Sequence, residues 1–406
     1  MLGFVQNWFG PRANPIGVDF GSDCLRLAQV QFGGTEYRLV AAASADVPSH
    51  IRHNPSARLA FFVETTRDLL AKGNFHTRQA VLALPAASMH IQHLRMAKMD
   101  EAETKKVLPL EARGKLPIDP SQALLRHLVA GEVYQDQEPK NEIIVMAAAR
   151  EFVNQLLAAA AKARLDVIGM NVEPKAIIDC FSHVYRRKAD ADTTNCFLDI
   201  GSSASRAIIS RGPHIFFTRS IPIGGEHFNK AAAEKLGIGF EEAKLLRIKL
   251  CHAQAQKDEQ KDKTAVSTAA AQELNGNVEP QLEDQQISPA DLVHKAEVVE
   301  QACLEPLTRL VEELDLCRRY HESTFPSQPV DRLIFVGGEA RQRGLCQHIA
   351  RELGLAAQLG DPLVRMGRVS TVGIESGIDR RQPQPGWSVA IGLSMGPVKV
   401  EAAAKL

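Results

Sequence analysis

Residues 16–30 read IGVDFGSDCLRLAQV and residues 197–210 read FLDIGSSASRAIIS. Each is a short apolar strand running into an aspartate, a Gly-Ser turn and a second strand, and each continues through a tight turn into a third strand. Asp19, Gly21, Ser22 and Arg26 recur as Asp199, Gly201, Ser202 and Arg206 at a constant offset of 180. One D-x-G turn alone reads as an ordinary hairpin. Two copies, each feeding its own α/β stretch, predict a duplicated fold with a cleft between its halves. A phosphate chain in such a cleft needs backbone N–H groups that can approach it closely, which Gly and Ser in a turn supply. A Mg²⁺ ion needs a hard oxygen nearby, usually through water, which an aspartate before the turn supplies. The candidate phosphate residues are Asp19, Gly21, Ser22 and Asp23 in the first loop and Asp199, Gly201, Ser202 and Ser203 in the second. Asp19 and Asp199 are the candidate Mg²⁺ residues.

The totals fit this frame. A chain of 406 residues exceeds what one compact core holds and implies at least two domains. With 45% hydrophobic and 24% charged residues it has the composition of a globular protein. Lys plus Arg and Asp plus Glu both number 48, which argues against a nucleic-acid-binding protein driven by bulk charge. Seven scattered cysteines without a CxxC pair read as a reducing compartment with neither a disulfide framework nor a zinc site. No apolar run is long enough to span a membrane. The opening MLGFVQNWFG lacks the basic start and long apolar stretch of a signal peptide; its apolar residues suit either a partner or membrane contact or a frayed end.

Along the chain, residues 1–14 read as a tail, and 15–86 with 143–190 as the first half. Residues 87–142 form a small inserted α+β subdomain, and 191–398 the second half. AVLALPA at 80–86 and EIIVMAAA at 142–149 read as core strands of the first half. The stretch 252–290 is poor in large apolar residues and is expected to be a flexible excursion. DLVHKAEVVEQACLEPLTRLVEELDLCRRYHES reads as a long helix with a break expected at Pro306.

The order of elements resembles the actin, hexokinase and heat-shock-chaperone ATPases, in which two loops grip the phosphates from opposite sides. LIFVGGEARQRGL, with Gly337, Gly338 and Glu339, resembles the adenosine motif of that superfamily. IPIGGEHFNK, with Gly225, Glu226 and Lys230, resembles the segment that reaches the base and ribose. NVEPKAII resembles the first connecting helix. Its Glu173 stands where a water-orienting carboxylate often does, or is a helix N-terminal charge held by the dipole. PGWSVAIGLSMG resembles the second connecting helix, where small residues permit close packing.

The place of the insertion resembles that in FtsA and, more closely and over nearly the whole chain, that in the PilM family of type IV pilus assembly proteins. The most family-specific stretch is IFFTRSIPIGGEHFNKAAAEKLGIGFEEAKLLRI. The resemblance implies a duplicated actin-like fold that binds ATP and Mg²⁺ and is at most a slow ATPase. It implies a cytoplasmic protein, peripheral to the inner membrane, holding the tail of a PilN-like membrane protein in a groove beside the inserted subdomain. Other pilus alignment and motor components are further implied partners, and self-association stays open. The alternatives are an FtsA-like filament protein and a small-molecule kinase of the same fold.

Overall fold

The computed structural model describes residues 13–185, 190, 192–267, 289–367 and 376–396. The first half opens with β1 (Ile16–Phe20), β2 (Cys24–Phe32), β3 (Tyr37–Asp46), α1 (Pro55–Lys72) and β4 (Gln79–Leu84). A small module follows: β5 (Met89–Ala97), α2 (Glu101–Glu111), β6 (Ala123–Gln135) and β7 (Glu138–Ala149). The chain then forms α3 (Arg150–Lys162), β8 (Asp166–Val172) and α4 (Glu173–Phe181). The second half contains β9 (Thr194–Ile200), β10 (Ser205–Arg211), β11 (His214–Ile221), α5 (Gly225–Leu236) and α6 (Phe240–Ser267). It closes with α7 (Pro289–Thr324), β12 (Arg332–Val336), α8 (Arg343–Leu353), β13 (Ala356–Leu359) and α9 (Ser388–Met395).

Local chemistry sets many boundaries. The Asn54 side chain caps α1 by accepting from the Ala57 N–H, with Pro55 at the first helical position where its missing N–H costs nothing. Asp100 caps α2 in the same way through Glu103. Gly237 and Gly354 end α5 and α8 in the left-handed conformation.

The two halves repeat one topology. The first sheet runs β3-β2-β1-β4-β8 and the second β11-β10-β9-β12-β13, each an antiparallel three-strand meander extended by two parallel strands. The registers match as well: Asp19 lies opposite Arg26 on β2, and Asp199 opposite Arg206 on β10. All five residues of β1 and all seven of β9 are buried, as expected for strands covered on both faces.

Between the halves cross α4 and α9. All eight residues of α9 are buried, although it carries Gly392 and two serines. A Cβ at Gly392 would lie 2.6 Å from the Ala176 carbonyl carbon on α4, and one at Gly17 2.8 Å from the Ser394 amide nitrogen, so only glycine permits this crossing. The Ser394 hydroxyl donates to the Pro15 carbonyl at 2.7 Å and accepts from the Val30 amide at 3.0 Å, fastening the last helix to the first strands.

Three expectations change. EIIVMAAA does not resume the first half's sheet: β7 is the middle strand of a separate sheet ordered β5-β7-β6. Its continuous apolar character reflects two covered faces, which cannot reveal which sheet a strand joins. Pro306 does not break α7, which continues from Pro289 to Thr324. Leu307, Leu310 and Leu314 beyond it are buried in the second half's core and offset the lost hydrogen bond. The expected excursion at 252–290 begins as helix, since α6 reaches Ser267; 268–288 lie outside the described residues, as do 1–12.

The small sheet is pinned to the second half by a buried carboxylate. Glu142 on β7 accepts from Tyr320 on α7 at 2.6 Å and from Arg95 at 3.2 Å, and faces the His93 ring at 3.2 Å. The other ring nitrogen of His93 meets the Thr218 carbonyl of β11 at 3.1 Å, and the ring stacks on Phe217. Burial works against the Glu142 charge, but these hydrogen bonds outweigh it and hold the carboxyl below its ordinary pKa.

Candidate functional site

The β1–β2 and β9–β10 turns face each other across a cavity of about 460 Å³. Both turns close with the same hydrogen bond, Gly21 N–H to Cys24 O and Gly201 N–H to Ala204 O, each 3.1 Å long. The glycines are there for room: a Cβ at Gly201 would approach the Ala204 oxygen to 2.9 Å. The cavity is walled further by Pro85–Ser88, the Gly337–Glu339 turn and the start of α9.

The structure brings together most of the residues expected from sequence. Asp19, Gly21, Ser22, Asp23, Glu173, Asp199, Gly201, Ser202, Ser203, Glu226, Gly337, Gly338 and Glu339 all line the cavity. Gly337 has φ +89°, and a Cβ there would lie 2.6 Å from the Ile200 oxygen, so the third element presses directly on the second loop. Two residues fall elsewhere. Lys230 is exposed and lines a neighbouring depression of about 340 Å³ with Ser49, Arg52, His227 and Phe240. Gly225 is not part of the cavity lining; its N–H is spent on the Gly201 carbonyl at 3.0 Å, as that of Glu226 is on the Ser202 carbonyl at 2.8 Å.

Four arginines that the sequence reading left without a role shape the site. Arg58 donates to the carbonyls of Gly21 and Ser22, both at 2.9 Å, and lies over the Phe20 ring. Arg26 faces Asp19 at 3.9 Å. Arg52 and Lys244 both pair with Asp23, the latter at 2.9 Å from α6 in the second half, so Asp23 is tied at the mouth of the cleft. Arg206 reaches Asp199 Oδ2 through Nε at 3.0 Å and Nη2 at 2.6 Å, and Glu173 Oε2 through Nη1 at 2.5 Å. The available signal was the exact recurrence of Arg26 as Arg206 beside each aspartate.

Burial dominates the electrostatics. It pushes the Glu173 carboxyl up to about 8, with Arg206 pulling down and Asp19 and Asp199 pushing up. It pushes Asp19 up to about 6, opposed by Arg26 and Arg206. Burial also works against the Arg206 charge, yet Asp199 and Glu173 together more than restore it. Burial thus holds the Glu173 carboxyl toward its neutral form beside the Arg206 guanidinium, at the start of α4.

Turns with close-approach glycines, serine hydroxyls and guanidinium groups suit phosphate oxygens. Arg206 takes one oxygen of Asp199 and faces one of Glu173, whereas Asp19 lines the cavity with only Arg26 at 3.9 Å, so Asp19 is the carboxylate that would hold Mg²⁺, through water. Among the described residues no group of three or more His, Cys, Asp or Glu side chains could hold a metal ion. The two segments expected to reach the adenosine touch each other: Glu339 lies against Gly225, where a Cβ would meet its carboxyl carbon at 2.7 Å. Arg247 holds that carboxylate at 2.7 Å and Asn229 at 2.6 Å.

Comparison with known proteins places this geometry. The family described as type IV pilus assembly protein PilM matches residues 17–258, and the cell division protein FtsA family matches residues 196–392. No curated relative matches the chain. A solved PilM–PilN type IV pilus biogenesis complex superposes with a TM-score of 0.71 at 20% identity, covering 95% of this chain and 98% of that one. The ethanolamine utilization protein EutJ from Carboxydothermus hydrogenoformans gives 0.49 at 15% identity, over 96% and 91% of the two chains. MreB5 of Spiroplasma citri bound to ADP gives 0.45 at 10% identity, over 97% and 98%. The fold is the duplicated actin-like one with a small inserted sheet.

Proposed function

The chain belongs to the PilM family of type IV pilus assembly proteins, and from that membership we propose that it is an actin-like scaffold of pilus assembly. In this reading it takes the cytoplasmic tail of a PilN-like inner-membrane protein in a groove beside the small sheet, and a nucleotide, ATP, through its phosphates in the central cleft. Tail binding holds the protein at the inner membrane from the cytoplasmic side; among the described residues no helix is long and apolar enough to cross a membrane itself.

The groove is the observation that carries the proposal. A cavity of about 280 Å³ opens between the small sheet and the first half, with Met89, Met146, Met170 and Leu128 in its wall and Arg126, His127 and Lys175 among its polar residues. Methionines adapt to varied apolar side chains. The bordering strand β6 is an edge of its sheet, so its outer N–H and C=O groups can pair with an extended peptide. The chemistry suits a short segment that alternates apolar anchors with acidic residues. The test is fluorescence anisotropy with a labelled peptide from the N-terminus of a candidate PilN-like protein. Saturable binding is expected, weakened about tenfold or more by Arg126→Glu, an exposed residue of the groove, with little change in melting temperature. No binding by the parent protein refutes the peptide reading, and Mg²⁺- and ATP-dependent sedimentation of filaments would favour the FtsA-like alternative.

A further inference from the structure

The two turns of the central cleft are held from behind by different means. In the second turn the Gly201 carbonyl accepts from the Gly225 N–H at 3.0 Å and the Ser202 carbonyl from the Glu226 N–H at 2.8 Å. In the first turn the matching carbonyls, Gly21 and Ser22, accept from Nη2 and Nη1 of Arg58, both at 2.9 Å. The donors of the second half are the first two N–H groups of α5, which have no acceptor within their own helix. In the first half a longer connection, residues 47–54, precedes α1, which opens on Pro55 and so lacks its first N–H. Both donors there come from one side chain near the start of α1. A guanidinium suits the task because its N–H groups form a rigid planar fork. The fork is seated 4.6 Å over the Phe20 ring, which packs in turn on fully buried Phe62 of α1.

We propose that Arg58 is the positioning residue of the first phosphate turn, the side-chain counterpart of the α5 N-terminus at the second. In a planar trans peptide the C=O and the N–H that follows it point in opposite directions. Carbonyls of Gly21 and Ser22 fixed toward Arg58 therefore fix the N–H groups of Ser22 and Asp23 the other way. The same geometry, with backbone donors, fixes the N–H groups of Ser202 and Ser203. Ser22, Asp23, Ser202 and Ser203 all line the cavity, and successive N–H groups held in one orientation are what a phosphate oxygen requires. The pairs differ in rigidity. The second turn is held by the backbone of a helix whose Gly225, Phe228 and Asn229 are buried, and the first by one half-buried side chain at the cavity wall. Arg58 thus acts on a phosphate through the turn it orients, and the first turn is the one whose grip a single side chain sets.

The inference rests on the nucleotide reading above, and its test separates the two. ATP with excess Mg²⁺ is titrated by calorimetry into the full chain, into Arg58→Lys, which keeps the charge but cannot present a planar fork, and into Arg58→Met. Both variants are expected to bind at least about fivefold more weakly than the parent. A smaller loss in Arg58→Lys means that charge alone suffices, and a smaller loss in Arg58→Met that neither charge nor fork is needed; either result overturns the inference and leaves the nucleotide reading standing. No binding by the parent overturns both. If the variants fail to fold, hydrogen exchange on the parent decides the question. Saturating ATP is expected to slow exchange of the Ser22 and Asp23 amides, and unchanged exchange there with ATP bound overturns the inference alone.

Discussion

Replacing Gly392 with alanine places a methyl group inside the crossing of α4 and α9. It would sit 2.6 Å from the Ala176 carbonyl carbon and 3.1 Å from the Cys180 Cβ, whereas carbon atoms in good contact lie about 3.5–4.0 Å apart. The deficit is about 1 Å against the carbonyl carbon, and the Ala176 carbonyl oxygen stands nearer still. The obstructing group is helix backbone, which cannot swing aside as a side chain can, and Ala176 and Cys180 are fully buried. One helix must move. Overpacking of this kind costs about 1–3 kcal/mol, and rigid backbone on both sides puts this site at the upper end. Alanine also gains about 1 kcal/mol over glycine as a helix residue. The net expectation is a loss of about 2 kcal/mol, read as a lower urea midpoint at unchanged slope. Gly239→Ala is the control, because nothing lies within 4 Å of its Cβ position. A Gly392→Ala protein within about 0.5 kcal/mol of the parent would refute the claim that this crossing is closed to any side chain.

Three further outcomes follow from the same structure. Glu173, raised to about 8 by burial, binds its proton more tightly folded than unfolded. Its contribution is fully present below the ordinary carboxylate value of 4.5 and is lost as pH rises through about 8, so the urea midpoint should fall between about pH 4.5 and about pH 8 and level off above it, and Glu173→Gln should flatten that slope. Tyr320→Phe removes the hydroxyl that donates to fully buried Glu142 at 2.6 Å and should cost about 1–3 kcal/mol; an unchanged thermal midpoint would show that Arg95 and His93 suffice. Lys244→Met cuts the tie between α6 and Asp23 at the cleft mouth. Stopped-flow measurement should show nucleotide entry and release both faster, by about threefold or more, with affinity little changed; unaltered rates would remove the tie from any gating role.

Much of this protein is written in local sequence. The two D-x-G-S turns, their common offset and the meanders around them announce a duplicated cleft, because strand alternation and turn chemistry are short-range properties. The glycines at 21, 201 and 337 were legible as turn residues; that each sits where backbone crowds backbone is seen only in the fold. The assignment of β7 was not, since a run buried on both faces looks the same in any sheet. Nor was the continuity of α7 through Pro306, which depends on leucines packing into a distant core. The arginines show the boundary most clearly. Sequence supplied Arg26 and Arg206 and even their symmetry, yet the near-identical loops hold them differently. Arg26 stands 3.9 Å from Asp19, while Arg206 grips Asp199 and Glu173 at 2.5–3.0 Å. That difference arises because α4 delivers Glu173 to the second loop, and a pairing between residues 173 and 206 exists only once the chain has folded back on itself.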